Sequence, residues 1–420
     1  MSSPDQEKPV SSEQKTIEKQ YIGRRVWLVS AVSAMGATAA GLIAPSLLPA
    51  AEQDYTDPTR VPGHAPSPYG SRARGETAQR LTTATHSLTP HQFLHGIITP
   101  SALHFERHHN GVPAIDSDRH RLLIHGLVER PLTFSMNDLA RFPSVTRTLF
   151  IECSGNSGKE WNGPTGETVQ DTHGLMSTSE WTGVPLATVL TEAGIKLDAA
   201  WVLAEGSDAA AMTRSLPLAE VMKEALLCYA QNGETLRPEQ GYPLRLVIPG
   251  WEGNTCIKWL RRLKLGTAPF MTREETSRYT DLMPDGTARQ FTFAMEAKSV
   301  ITSPSGGQRI EPGFVEIRGL AWSGRGSVKA VEVSTDGGWT WQPAQLQEPV
   351  LPHCHTRFRF GWRWNGEATV IQSRCIDDTG YVQPTRAALV AARGAHSLYH
   401  YNAIQSWKVA ADGKVTNVQV

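Results

Sequence analysis

The sequence predicts two domains: a mixed α+β domain over residues 91–270 and an all-β, immunoglobulin-like sandwich over 294–420, joined by a connector over 271–293. Three observations carry this. Between 91 and 270, apolar strand-like runs alternate irregularly with capped helical segments, which suits an α+β layer arrangement. From Ala294 the texture changes to alternating strands between Gly, Pro and Asp turns, about seven strands in about 115 residues, the spacing of a sandwich. The segment between them is polar, with Arg273, Glu274, Glu275, Arg278 and Tyr279.

Ahead of both domains, Arg24 and Arg25 are followed by Val-Trp-Leu and a small-residue apolar stretch over 26–48 that ends in LPAAE. A basic start, an apolar middle and a small-residue end form a signal-peptide layout. The paired arginines resemble a twin-arginine export signal. Residues 1–50 are therefore expected to be that signal, and the mature chain to be periplasmic. Pro45 and Pro49 argue against a permanent membrane span. Residues 51–90, rich in Pro, Gly, Thr and Ser, are expected to form an extended arm or linker.

Within 91–270, LHFERHHNGVP (103–113) is a loop. Its Arg107, His108 and His109 are anion or metal binders, or simply a solvated turn. HRLLIHGLV (120–128) reads as a strand, and Ser135 and Asp138 stand at capping-box spacing ahead of a short helix. In TLFIECSGNSGKEW (148–161) an apolar strand end delivers Cys153 into a small, glycine-bearing loop. A thiolate there is a soft metal ligand or a nucleophile, and a buried free cysteine is the plain alternative. Pro185 starts and Gly194 stops a helix with Leu186, Val189 and Leu190 on one face. WVLAEGSD (201–208) reads as a strand and loop, and 215–233 as a helix or helix pair. Residues 244–248 read as a buried strand stopped by Pro249-Gly250. In the second domain Asp336-Gly337-Gly338 reads as a hairpin turn between 331–333 and 339–341.

Lys plus Arg equals Asp plus Glu, at 41 each, so no charge field argues for nucleic acid. The five cysteines have no CxxC or CxxCH spacing, which leaves no attachment site for a c-type haem in this chain. Cys354 and Cys375 are left open as a pair or as free thiols.

Taken in order, these residues resemble the sulfite oxidase family of molybdenum enzymes, from about His91 onward. The matching motifs are Arg107-His108-His109, Cys153-Ser154-Gly155-Asn156, 205–208, 241–250, Ile257-Lys258-Trp259 and the 334–341 hairpin. The resemblance implies a molybdopterin-binding domain of sulfite oxidase fold, a C-terminal dimerisation domain and a molybdenum–molybdopterin cofactor (Moco). It implies that Cys153 is the metal's thiolate ligand, that Arg107, His109, Asp208, Arg245 and Lys258 bind the cofactor, and that Arg107, Tyr279 and Arg393 are catalytic. With no haem in the chain, it implies a separate c-type cytochrome as electron acceptor.

Departures from the family pattern narrow the reading. Ser157 and Gly158 stand where members acting on free sulfite often carry two arginines. Gln240 stands in place of a histidine, and Asp171 where a tryptophan is common. Fewer cations and less bulk weaken a site for a small dianion and open its mouth. In this the sequence is similar to the sulfane dehydrogenase branch of the Sox thiosulfate-oxidising system, which acts on a sulfane sulfur held by a carrier protein. Oxidation of such a carrier-bound sulfur is the expected reaction, and dehydrogenation of free sulfite to sulfate is the alternative. A cofactor-less periplasmic binding protein on the same scaffold is a third reading. The expected assembly is a homodimer through the C-terminal domain or a heteromer with the cytochrome.

Overall fold

The computed structural model describes residues 57–395 and 397–420; the expected export signal over 1–50 lies outside the described residues. Contacts divide the chain after Arg72. The part up to Arg72 contributes a 3-10 turn, Pro58–Arg60, whose entry is capped by the Asp57 side chain accepting from Thr59 N. Ala73–Val420 is one compact unit.

That unit opens on a small sheet. Leu81–Thr82 pairs with His86–Leu88, which pairs with Glu106–Arg107. The first two strands fall in the stretch expected to be an arm; at two and three residues they are too short to display a period. Their pairing seats Arg107 beside the loop that follows it.

Two five-stranded sheets then share one apolar core. In one, Val145–Glu152 runs antiparallel to Met176–Pro185, which pairs with Leu226–Gln231. In the other, Leu122–Gly126 lies parallel to Leu260–Gly266, which pairs antiparallel with Trp201–Gly206. The helix Leu186–Ala193 follows the expected Pro185 and stops at Gly194, whose φ is +70°. Its Leu186, Val189 and Leu190 are fully buried, each contributing about 1.5–3 kcal/mol. The short helix Met136–Leu139 carries the expected capping box, Ser135 with Asp138.

Two elements differ from expectation. Residues 215–233 are not a helix or helix pair. Thr213–Pro217 is a strand, Leu218–Glu224 a helix, and Leu226–Gln231 a strand. Leu226, Leu227 and Cys228 are all buried, because that strand is covered on both faces, and an unbroken apolar run has no period to separate strand from helix. The strand Met176–Pro185 is not among those the sequence predicts. Its buried Ser177, Thr178 and Ser179 are polar, so no apolar alternation marks it.

The C-terminal part is predominantly β. A four-stranded sheet, from Lys298–Ser303 to Gln345–Gln347, and a five-stranded sheet, from Gln342–Pro343 to Val415–Val418, enclose a second core around Trp322, Phe358 and Trp407. The 336–338 turn is longer than expected: Val333 pairs with Gln342, so the return strand begins three residues after Trp339. Ser334 Oγ accepts from Gly338 N (2.8 Å) and Asp336 Oδ1 from Thr340 N (3.0 Å). These local bonds replace ladder bonds at 339–341. All five cysteines are free thiols, Cys354 and Cys375 included.

Candidate functional site

Cys153 leaves the Val145–Glu152 strand with its backbone pinned on both sides. Cys153 N donates to Leu175 O (3.0 Å), and Cys153 O accepts from Asn156 N (2.8 Å). The Asn156 side chain closes the loop: Oδ1 accepts from Leu175 N (3.1 Å) and Nδ2 donates to Glu152 Oε1 (2.8 Å). Glu152 in turn receives Lys298 Nζ and Trp322 Nε1, both at 2.7 Å and both from the C-terminal part. Glu152 and Lys298 are 0% and 1% exposed, so the strand end is locked by a desolvated ion pair. Burial pushes the Cys153 thiol up, against a lowering backbone bond at Gly155 and the Arg107 guanidinium.

The thiol opens on a cleft of about 660 Å³ whose lining includes Arg107, His109, Cys153, Asp208, Arg245, Lys258 and Tyr279. Arg245 is buried, lies 4.9 Å from the Trp181 ring centroid, and donates to Gln240 O and Oε1, each at 3.1 Å. Its Nε has no partner, and burial brings its pKa down to about 10. Lys258 Nζ donates to Arg107 O (3.2 Å), Glu239 O (3.0 Å) and His108 Nδ1 (2.8 Å). Burial, with Arg245 nearby, holds its pKa well below the usual lysine value. Tyr279 Oη meets His109 Nε2 at 3.1 Å. Burial, then Arg107, lowers His109 to about 4, so the ring is neutral at pH 7. Asp208 Oδ1 accepts from Met212 N (3.0 Å), which fixes its loop.

Outside Cys153 the cleft widens into a groove of about 1660 Å³, bounded by Ser157, Gly158, Lys159, Arg273, Arg278 and Tyr399, with Arg107, His109 and Tyr279 common to both.

The Oxidoreductase molybdopterin binding domain model matches residues 109–274, and the Mo-co oxidoreductase dimerisation domain model matches residues 289–407. Mitochondrial sulfite oxidase of Rattus norvegicus is 33% identical over 373 residues, covering 80% of this chain and 67% of that protein. The Homo sapiens protein is 34% identical over 333 residues, covering 71% of this chain and 59% of its own length. Among solved structures, the sulfane dehydrogenase SoxCD of Paracoccus pantotrophus is 46% identical with a TM-score of 0.85, covering 87% of this chain and 98% of that one. The chain belongs to the sulfite oxidase family of molybdopterin oxidoreductases. Its cofactor is molybdenum–molybdopterin.

The cleft fits that cofactor on its own chemistry. Arg245 is a buried cation and Lys258 a half-buried one, neither has a carboxylate partner among the described residues, and Arg245 Nε is unpaired. Such charges call for an anion, and a phosphate-bearing pterin supplies one. No group of three His, Cys, Asp or Glu among the described residues could hold a metal ion. Two thiols, Cys153 and Cys256, line the cleft, and of these Cys153 also borders the groove.

Two of the nominated cations behave differently from the others. Arg107 lines both cleft and groove but spends one guanidinium nitrogen on the carbonyl of His108. Arg393, expected at the substrate, lines neither. It sits, 3% exposed, at the end of the helix Arg386–Arg393, paired with Asp281 (3.3 Å) and Glu296 (3.1 Å). Each carboxylate takes one terminal guanidinium nitrogen, and the residue ties the connector to the C-terminal part.

A second buried network escaped the sequence reading. Arg214 Nη1 donates to Glu252 Oε1 (3.0 Å), and His400 Nε2 meets Glu252 Oε2 at 3.1 Å. Asn254 Nδ2 donates to Glu252 (2.8 Å) and to Ser154 Oγ (3.1 Å). Burial alone raises the Glu252 carboxyl, but Arg214, His400 and Asn254 outweigh it and hold it down to about 2. The Arg214 guanidinium lies 5.4 Å from the Tyr279 ring centroid, so this network backs the cleft wall. The signal that could have found it was Glu252, a lone glutamate in the apolar, glycine-bearing stretch PGWEGN.

Proposed function

We propose that this chain oxidises a sulfane sulfur carried on a partner protein in thiosulfate oxidation, and passes the electrons to a separate c-type cytochrome. The observation that carries this is the groove outside Cys153. Where two arginines would narrow it, Ser157 and Gly158 add neither bulk nor charge, which leaves the groove open for more than one small anion. The structural likeness to a sulfane dehydrogenase supports the same reading.

When bound, the cofactor supplies a two-electron centre for oxygen transfer to sulfur. Each oxygen taken from water in this way releases two protons and two electrons, and the electrons must leave to another protein. Cys153 holds the metal, and Arg245 and Lys258 neutralise the cofactor's anionic groups. Arg107 positions the developing sulfur–oxygen anion, and Tyr279, oriented by neutral His109, donates to it. The C-terminal part is read as an immunoglobulin-like dimerisation module, and the Arg24-Arg25 segment as the export signal to the periplasm.

The test is molybdenum analysis of the purified protein with steady-state assays on carrier-bound sulfane sulfur and on free sulfite. Turnover of the carrier substrate is expected to dominate. Strong turnover of sulfite with none of the carrier substrate would refute the sulfane reading in favour of a sulfite dehydrogenase. Replacing Arg24 and Arg25 by lysine is expected to leave the protein in the cytoplasm; undiminished periplasmic protein would count against the export reading.

A further inference from the structure

Strands Gly313–Trp322 and Thr356–Trp364 pair antiparallel, with Phe314 opposite Arg363, Glu316 opposite Gly361 and Arg318 opposite Arg359. Alternation along the strands puts Phe314, Glu316, Arg318, Arg357, Arg359 and Arg363 on one face. Ile317 and Phe358, which point the other way, are buried in the core. The outward face therefore carries four arginines and one carboxylate. Glu316 is shared, 3.8 Å from Arg318 Nε and 3.8 Å from Arg359 Nη1, which is too far to neutralise either fully. Arg357 and Arg363 have no ion-pair partner among the described residues.

The face is also shaped. Arg357 Nε donates to Gly96 O, so the 92–96 loop walls one end and leaves a cleft of about 830 Å³ lined by Phe93, Arg318, Arg357 and Arg359. Partial burial, with Arg318 and Arg359 repelling it, lowers Arg357 to about 10, so the cluster is crowded with like charge. Two aromatic rings stand exposed, Phe93 at 56% and Phe314 at 68%. A Cβ at Gly361 would meet the Phe314 ring at 3.3 Å, so the missing side chain there makes room for that ring to lie across the strand. Exposed aromatics among arginines are the composition of interface centres, not of solvated faces, where lysine is preferred.

We propose that this face docks an acidic surface of a separate protein, with Phe314 as the apolar anchor and the four arginines pairing carboxylates around it. A second copy of this chain is the competing occupant, since the domain matches a dimerisation-domain model. Across a two-fold axis, however, the patch would meet itself, setting arginine against arginine. The inference does not depend on which sulfur compound is oxidised.

The test uses the holoenzyme and a fluorescein-labelled decaglutamate peptide, read by fluorescence anisotropy at 20 and 200 mM salt. Replacing Arg318, Arg359 and Arg363 together by glutamine, all exposed changes, is expected to weaken binding at least tenfold at low salt and to flatten the salt dependence. The charge control Lys159→Gln/Arg273→Gln/Arg278→Gln, at the groove, is expected to bind as wild type does. A peptide with one central leucine should bind wild type more tightly, and Phe314→Ser should erase that gain. Equal peptide affinity in wild type and the face variant overturns the proposal. So does a fall in assembly mass by light scattering in that variant, which would make a second copy the occupant.

Discussion

Replacing Lys298 by methionine isolates what the C-terminal part does for Cys153. The change keeps much of the side chain's bulk but strips the cation 2.7 Å from Glu152, a carboxylate that is 0% exposed. Asn156 and Trp322 still donate to it, yet no other cation lies within ion-pair distance among the described residues. Leaving a buried charge unpaired costs about 3–5 kcal/mol, a fall in Tm of about 3–6 °C for a chain of this size. Adding Glu152→Gln removes the stranded charge. The amide oxygen can still accept from one of the two remaining donors, so the double variant is expected within about 2 kcal/mol of wild type. Urea unfolding of the four proteins closes the cycle, and molybdenum content reports on the site, because Glu152 immediately precedes Cys153. A Lys298→Met protein within about 1 kcal/mol of wild type, or a double variant no better than the single, would refute the argument that the pair locks the strand end.

Three further outcomes follow from the same geometry. Cys153→Ser is expected to fold normally but to purify without molybdenum and without turnover, checked by elemental analysis and circular dichroism; full activity would remove Cys153 from the ligand position. Burial lowers His91 to about 4 and His104 to about 3. Below the usual histidine value near 6.5 the unfolded chain therefore binds more protons, and stability is lost as pH falls from there toward the folded values. Each contributes about 2 kcal/mol of loss between pH 7.5 and 5, so His91→Gln should flatten the pH dependence of the urea midpoint by that amount. An unchanged slope would contradict it. At Gly158 an added Cβ would sit 2.6 Å from Leu398 O, a backbone atom, whereas Gly75 faces open space. Gly158→Ala should cost about 1–3 kcal/mol and reduce kcat/KM by shifting Tyr399, with Gly75→Ala neutral in both; equal behaviour of the two would deny the close approach.

What the sequence showed and what it hid separate along a physical line. Arg107, His109, Cys153, Asp208, Arg245, Lys258 and Tyr279 were legible because each sits in a short motif, and the fold brings all seven to one cleft. Helices with caps, such as Met136–Leu139 and Leu186–Ala193, were legible because their start and stop signals are local. The strands Met176–Pro185 and Leu226–Gln231 were not, one because its buried side chains are polar, the other because it is apolar on both faces. The pairing of Arg393 was hidden because its carboxylate partners, Asp281 and Glu296, are 112 and 97 residues away in the chain. An arginine looks the same in sequence whether its charge is spent or free.

The same distinction explains why the Cys153 loop needs both halves of the molecule. A thiolate at a strand end is fixed only as well as the strand end is, and the residue before it is an acid that its own domain leaves without a cation. That cation, Lys298, and the second donor, Trp322, both come from the C-terminal part, as does His400, which donates its backbone N–H to Ser154 O (2.8 Å). His400 holds a left-handed φ of 55°, a strained conformation for a residue with a side chain. It is kept there by that bond on one side and by Glu252 on the other. Matched to a dimerisation model, the C-terminal part is therefore also a wall of the site, and the position of Cys153 depends on contacts that the first half of the chain cannot supply by itself.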